Sequence, residues 1–271
     1  MTFVFIIDLD GTIIGDCVYQ CELYKIYLLL RKLGIKIKIN DVLEDSYKEK
    51  TKLIRPYFNY FIQTMKKNFP DTHFYIYTAS EKKWGSKEIE VIEKNLQIKF
   101  NRPIFTRMEC MTIQSGSKIE YKKSIELIKK KIKVKDPEIM IIDDKDVYID
   151  NNHRLINCEC YNYKYFCNYW DYIPITKIKN KIVLNYLTSL IENNRLNPLY
   201  SQIQMKNKVE YFHWLYNKCL EINKNNRVYK NDTFWLKLTN IIIDNNITIM
   251  NDTSIKFIKN HLRSCAYNTS N

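Results

Sequence analysis

The sequence predicts an α/β fold: a parallel sheet flanked by helices, followed by a small helical C-terminal module. Three observations predict it. Short apolar runs recur at Phe3–Ile7, Phe74–Tyr77 and Ile139–Ile142 without polar alternation, as expected of strands covered on both faces. Segments of helical periodicity separate them. Beyond about residue 178 the strand-like runs stop and helical stripes alone remain.

The first run reads MTFVFIIDLDGTII over Met1–Ile14, a buried strand ending in two aspartates one residue apart. From Asp16 to Leu33, the residues Val18, Leu23, Ile26, Tyr27, Leu30 and Leu33 fall at helical spacing, and Gly34 supplies a stop. Ile35, Ile37 and Ile39 alternate as in a short edge strand or flap. Arg55-Pro56 opens a helix to about Asn68, with Phe58, Phe61, Ile62 and Met65 as its stripe. Phe74–Tyr77 is a strand closing on Thr78-Ala79-Ser80. Lys87–Leu96 reads as a helix, Ile104-Phe105 as a short strand and Lys118–Ile132 as a strongly basic helix. Glu138–Asp143 is a third buried strand, closing on Asp143-Asp144, and Leu155–Tyr163 a fourth. Right-handed crossovers between parallel strands bring their carboxyl ends to one edge.

Ile178, Ile182, Val183, Tyr186, Leu187, Leu190 and Ile191 form a helical stripe, and Lys208–Leu220, Phe234–Ile243 and Ser254–Leu262 are further helices. Asp252 or Thr253 caps the last. A boundary near Pro198 divides the chain into a catalytic domain, 1–194, and a basic helical module, 195–271.

Composition excludes several classes. No apolar run reaches the roughly 18 residues needed to cross a bilayer, so no membrane insertion is expected. The N-terminus enters a strand without a signal-peptide pattern. No period of 20 to 50 residues marks a solenoid. The eight cysteines follow no disulfide-framework spacing and read as reduced thiols of an intracellular protein, cytoplasmic or nuclear. The net charge is +13, and residues 181–271 hold 12 basic and 6 acidic side chains against 31 and 24 in the first 180. The tail is therefore about twice as basic per residue. That balance suits nucleic acid, a nucleic-acid-associated complex, or a phosphorylated or acidic protein segment, and equally a solvated lysine-rich surface.

The strand ends carry the chemistry. Side chains two apart on a strand share a face, so Asp8 and Asp10 emerge together at the edge where α/β sheets bind ligands. Two close carboxylates repel unless a cation or a shared proton offsets them. The pattern predicts a magnesium site with one carboxylate free to attack a phosphoryl group. Asp8 is the candidate nucleophile and Asp10 the candidate acid and base. Thr78, and more weakly Ser80, can hydrogen-bond the phosphoryl oxygens. Asp143 and Asp144 can complete the Mg2+ shell with Asp8 and the backbone carbonyl of Asp10. A lysine is needed to neutralise charge between them, and Lys118, Lys122 and Lys123 all lie near the start of the basic segment.

The Asp8-Leu-Asp10-Gly-Thr12 pattern resembles the haloacid dehalogenase (HAD) superfamily of phosphotransferases. Over about residues 1–190 the chain further resembles the FCP/SCP-like phosphatases, which act on the phosphorylated C-terminal domain of RNA polymerase II and related phosphoserine proteins. The resemblance rests on Arg55-Pro56, Phe74-Tyr-Ile-Tyr-Thr-Ala-Ser80, Trp84, Phe105-Thr-Arg107-Met-Glu-Cys110, Tyr121-Lys-Lys123-Ser-Ile125, the strand Ile139–Asp144 and the stretch Asn151–Cys158. It implies a HAD-like Rossmannoid sheet, Mg2+ as cofactor and Lys123 as the active-site lysine. It also implies Gly11, Thr12, Ser80 and Arg107 around the substrate, and a phosphorylated protein segment as partner. Gly11 stands where the family usually has Glu, and Ser124 replaces the Asp after the lysine. The 45 positions from Thr78 to Lys123 leave room for a substrate-binding insert rather than a large cap.

The expected activity is thus Mg2+-dependent phosphomonoester hydrolysis through an aspartyl-phosphate, most plainly on phosphoserine or phosphothreonine. The rivals are a nucleic-acid end phosphatase or nucleotidase, and a non-catalytic binding or assembly subunit. A zinc site from His153, Cys158, Cys160 and Cys167 is disfavoured by its spacing. The aromatic run Tyr161 to Tyr172 is read as a packed edge in preference to a base-stacking platform.

Overall fold

Complete burial of five successive residues, Phe3 to Ile7, accounts for the first strand and sets the sheet around it. The computed structural model describes residues 3–34, 43–116, 118–132, 134, 138–165, 185, 221 and 228–267. The strands are β1 (Phe3–Ile7), β2 (His73–Ile76), β3 (Met111–Ser115), β4 (Lys118–Lys122), β5 (Glu138–Asp143) and β6 (Leu155–Asn157). The helices of five residues or more are α1 (Val18–Lys32), α2 (Phe58–Asn68), α3 (Lys82–Leu96), α4 (Ile125–Lys129), α5 (Phe234–Asp244) and α6 (Asp252–Tyr267). Among these residues no helix is long and apolar enough to cross a membrane.

Four strands pair in parallel in the order β2-β1-β5-β6. The register sets Ile7 opposite both Ile76 and Ile142. The residues that follow, Asp8, Tyr77-Thr78 and Asp143-Asp144, therefore leave the sheet at one edge, as the apolar runs predicted.

Contacts divide the chain into two units. One comprises 1–14, 54–162 and 229–271 and contains the sheet. On one sheet face Val4, Ile6, Tyr75, Tyr77, Ile139 and Ile141 pack with Ile125, Ile128 and Ile132 of the α4 segment. On the other face Phe5 stacks on Phe74 at 5.3 Å and meets Phe61 edge-on. Trp235 of α5 closes this layer against Phe58 and Phe61, with ring centroids at 5.0 and 4.8 Å. Each such buried ring is worth about 1.5–3 kcal/mol.

Residues 229–271 belong to the unit that contains the sheet. The tail is tied down by Arg154, which bonds Asp252 at 2.9 Å and the Met250 carbonyl at 3.3 Å, and by Lys259, which donates to the His153 carbonyl at 2.7 Å. The boundary near Pro198, the alternating Ile35–Ile39 segment and the helices read at Ile178–Ile191 and Lys208–Leu220 lie outside the described residues, as do Cys167 and residues 166–172 of the aromatic run. Tyr161 and Tyr163 of that run are buried.

The second unit comprises 15–53 and 163–228. Gly15 donates to the Leu53 carbonyl and Asp16 to that of Tyr163. A β-carbon at Gly15 would collide with the Tyr163 carbonyl, so glycine is required by close backbone approach. Asp16 accepts from the Val18 amide at 3.0 Å at the start of α1.

Several local expectations are corrected. Lys118–Ile132 is not one helix: it begins as β4, paired antiparallel with β3, and only Ile125–Lys129 is helical. Gly116, at φ +60°, makes the turn between β3 and β4, and this hairpin occupies the expected insert. Ser124 interrupts the segment by capping α4, accepting from the Leu127 amide at 3.3 Å. The helix read from Lys87 begins at Lys82, burying Trp84 and Gly85. The strand read as Leu155–Tyr163 stops at Asn157. The α6 start is capped by Asn251, whose side chain accepts from the Ser254 amide at 2.9 Å, in place of Asp252 or Thr253.

Candidate active site

β1 delivers Asp8 to the sheet edge, its amide bonded to the Ile142 carbonyl at 2.9 Å. The chain then turns back: Ile13 and Ile14 both donate to the Leu9 carbonyl. Gly11 adopts φ +84°, and a β-carbon there would lie 2.7 Å from Asp144 Oδ2 and 2.9 Å from Cys160 Sγ. Both the conformation and the space demand glycine.

Lys123 is the lysine brought to the acids. Its backbone extends along the loop after β5, with its amide bonded to the Val147 carbonyl and its own carbonyl to the Ile149 amide. Its ammonium is buried between Asp8 Oδ1 at 2.5 Å and Asp143 Oδ2 at 2.7 Å, with the rings of Tyr77 and Tyr148 at 5.5 and 5.7 Å. Burial alone would lower its pKa, but the Asp8 and Asp143 carboxylates outweigh that and hold it well above the ordinary value. Burial raises the Asp8 carboxyl to about 8, against the pull of Lys123 and with the push of Asp143 and Asp10.

Asp8, Asp143 and Asp144 each place an oxygen within 4.8 Å of the others. Asp143 Oδ1 accepts from the Lys145 amide at 2.8 Å. Thr12 Oγ1 lies 3.5 Å from both Asp8 Oδ2 and Asp144 Oδ1 and accepts from the Asp144 amide at 3.0 Å. Asp144 Oδ2 is buried with no hydrogen-bond partner. Three carboxyl groups share one ammonium, and the donors are all hard oxygens. The residues fit a divalent cation of the Mg2+ type.

The carboxyl of Asp10 faces elsewhere. Its Oδ2 accepts from Ser80 Oγ at 2.8 Å and Thr78 Oγ1 at 3.4 Å. Burial raises its pKa, with the Ser80 hydrogen bond pulling the other way. A carboxyl whose pKa burial raises, beside two hydroxyls, is suited to proton transfer.

Other site residues predicted from sequence are nearby but engaged. The amides of Gly11 and Thr12 donate to Ile14 and Leu9 carbonyls, so what Thr12 offers the cluster is its hydroxyl. Arg107 does not join the acids: its Nε donates to the Ala79 carbonyl at 2.8 Å, its amide to that of Ser80, and its guanidinium lies 4.6 Å over Tyr121. It braces the Thr78–Ser80 turn. Ser124 bonds Asp150, whose other oxygen accepts from the Ile125 amide at 2.7 Å. Of the residues disfavoured for zinc, His153 faces Asp252 at 3.5 Å and Cys158 Sγ takes a hydrogen bond from Arg55 at 3.3 Å, while Cys167 lies outside the described residues.

Sequence reasoning missed Asp232 and Trp235, which reach Arg55 and the Gly11–Thr12 turn from the tail. Arg55 Nε bonds Asp232 at 3.0 and 2.9 Å, and the Trp235 indole donates to the Thr12 carbonyl at 3.3 Å. Partners 177 and 223 positions apart leave no spacing signal. A cavity of about 740 Å³ lies against the Arg55–Asp232 ion pair, lined also by Cys158, Phe234, Lys237 and Lys259 among others.

Comparison with known proteins comes to the same place. Residues 3–173 match the model of the NLI interacting factor-like phosphatase family. A search of curated proteins returns no match. The solved structures that align with the chain include two Fcp1 phosphatases. The first is Fcp1, an essential RNA polymerase II CTD phosphatase, at 16% identity and TM-score 0.37, over 93% of this chain and 68% of its own. The second is a fission yeast RNA polymerase II CTD phosphatase Fcp1 variant bound to beryllium fluoride, at 14% identity and TM-score 0.36, over 97% and 62%.

Proposed function

The chain belongs to the NLI interacting factor-like phosphatase family, and from that premise we propose that it hydrolyses phosphoserine or phosphothreonine in protein segments, with Mg2+, through a phosphorylated Asp8. It is a phosphatase of the HAD type. The observation that carries the finer reading is the Asp8–Lys123 contact at 2.5 Å inside a three-carboxylate cluster with one unpartnered buried oxygen.

Asp8, Asp143 and Asp144 would hold the ion, which when bound supplies positive charge against the phosphoryl oxygens and keeps Asp8 ionised. Asp8 attacks phosphorus; the P–O bond to the substrate breaks as the P–O bond to Asp8 forms. Asp10 gives its proton to the departing alkoxide and then takes one from the water that attacks the aspartyl-phosphate. Lys123 neutralises charge beside Asp8, while Thr78 and Ser80 hold Asp10 and Arg107 braces their turn. None of the described cysteines, Cys17, Cys21, Cys110, Cys158 and Cys160, is in a disulfide, which supports a reducing, intracellular setting.

The test is hydrolysis of an aryl phosphate with Mg2+, then of a phosphoserine peptide and of 3′- and 5′-phosphorylated oligonucleotides. Activity on the aryl phosphate and the peptide, lost by roughly 10³-fold or more in Asp8→Asn, is the expected result. Turnover of the oligonucleotides but not the peptide would overturn the substrate class. Full activity in Asp8→Asn would overturn the nucleophile.

A further inference from the structure

The segment that follows the family-matched region contributes directly to the turn that carries the nucleophile. Asp232 meets Arg55, which is 3% exposed. The guanidinium lies 4.9 Å over the Phe234 ring and 5.6 Å over the Tyr161 ring. Its Nη1 reaches the carbonyls of Gly11 and Thr12 at 3.4 and 3.5 Å and Cys158 Sγ at 3.3 Å. Its backbone amide donates to the Ile13 carbonyl at 2.8 Å. Three residues further on, fully buried Trp235 donates its indole N–H to the same Thr12 carbonyl. The other side of Thr12, its hydroxyl, stands between Asp8 and Asp144.

From this geometry we infer that Asp232 and Trp235 are positioning residues for catalysis: the C-terminal segment holds the Gly11–Thr12 turn in register with the acid cluster. The inference rests on the metal-dependent reading above. The physical argument has two parts. Trp235 and Arg55 share the Thr12 carbonyl, so they fix the peptide plane whose side chain sits among the acids. Displacing a reacting group by about 1 Å costs on the order of 10²-fold in rate. Asp232 also neutralises a buried guanidinium. Without it, an uncompensated positive charge would stand against the turn beside the acid cluster, opposing a second cation there and drawing the Gly11 and Thr12 carbonyls toward itself.

The experiment compares the full-length native protein with Asp232→Asn, Asp232→Glu and Trp235→Phe. It reads melting temperature, kcat and KM on an aryl phosphate, and Mg2+ affinity by calorimetry in the absence of substrate. Asp232→Asn is expected to lower kcat roughly tenfold or more with KM changed less than about threefold, and to weaken Mg2+ binding by about threefold or more; Asp232→Glu restores both. Trp235→Phe, which keeps the charge pair, lowers kcat with Mg2+ affinity near native. A purely structural role would lower the melting temperature and leave kcat and Mg2+ affinity per folded molecule unmoved. Folded Asp232→Asn and Trp235→Phe proteins within twofold of native in both quantities would overturn the inference. Should Asp232→Asn fail to fold, kcat of Trp235→Phe decides alone. A native protein that binds no Mg2+ counts against the proposed function instead, since this inference fails only where native binding and turnover are matched by the variants.

Discussion

Two buried acidic centres in the sheet's unit differ in how they are satisfied. Glu93, on α3, has every oxygen occupied: Oε1 accepts from the Phe100 amide and Arg102 Nη1, both at 2.9 Å, and Oε2 from Arg102 Nη2 at 2.9 Å and Lys99 at 3.1 Å. Its acid is outnumbered by its cations. The cluster of Asp8, Asp143 and Asp144 has one ammonium for three carboxylates and leaves Asp144 Oδ2 bare. Carboxylates in the two centres are thus satisfied to different degrees. A saturated centre fastens the loop after α3 to its helix, whereas an unsaturated one carries a surplus of carboxylates that a cation would offset. Deficit of partners, more than burial, separates a reactive carboxylate from a structural one.

The largest effect expected on this contrast comes from removing the one cation of the unsaturated centre. Lys123→Met keeps the length and apolar bulk of the stem but leaves Asp8 and Asp143 facing each other. Loss of a preorganised charge of this kind lowers kcat by roughly 10²–10³-fold. Because Lys123 pulls the Asp8 pKa down, its removal lets that pKa rise further. The proposed attack needs ionised Asp8, so the acidic limb of the kcat/KM profile is expected to move to higher pH. A pH–rate profile with unchanged limb and unchanged kcat would place Lys123 on the structural side of the comparison.

A smaller and opposite result is expected at the saturated centre. Glu93→Gln should cost about 1–3 kcal/mol of stability while kcat stays within about twofold. Burial would raise the Glu93 pKa, but Arg102, the Phe100 amide and Lys99 outweigh it and hold it below the usual range. A depressed acid contributes stability that is fully present above its unfolded pKa and is lost as pH falls through the folded one. The melting temperatures of native and Glu93→Gln protein should therefore differ at neutral pH and converge in acid below the ordinary glutamate pKa of 4.5. A gap that persists unchanged in acid would show that packing, not charge, sets the difference.

How much of this was legible beforehand follows the same physics. The strand β1, Asp8 and Asp10, and the Asp143-Asp144 pair were readable because uninterrupted apolar runs and the two-residue strand period are local signals. Thr78 and Ser80 were readable as a strand end, although their hydrogen bonds go to Asp10. Lys123 was one of three candidates in a lysine-rich run, and the family resemblance singled it out. The hairpin β3–β4 was misread because Ile125, Ile128 and Ile132 do fall at helical spacing, while the two-residue alternation of Ile119 and Tyr121 before them is short. Its decisive residue is Gly116, whose positive φ ends one strand and starts the next. Asp232 and Trp235 were invisible, since their partners at Arg55 and Thr12 are joined to them only by the packing of α5 on α2.

The smallest effect sharpens the contrast within the saturated centre itself. Lys99 and Arg102 both bond Glu93, yet the Lys99 side chain is 81% exposed and Arg102 presents two parallel bonds from a guanidinium fork. An exposed ammonium gains little in high dielectric and gives up side-chain freedom to stay in place, whereas a bidentate guanidinium is already shaped for a carboxylate. Lys99→Ala should then change stability by at most about 0.5 kcal/mol, a difference that shrinks further in high salt, with kcat untouched. Thermal melts at low and high ionic strength check it. If Lys99→Ala proved as damaging as Glu93→Gln, the centre would be a charge network in which every member counts. If it is silent, the fork of Arg102 and the amide of Phe100 carry the saturation that distinguishes Glu93 from the acids at the sheet edge.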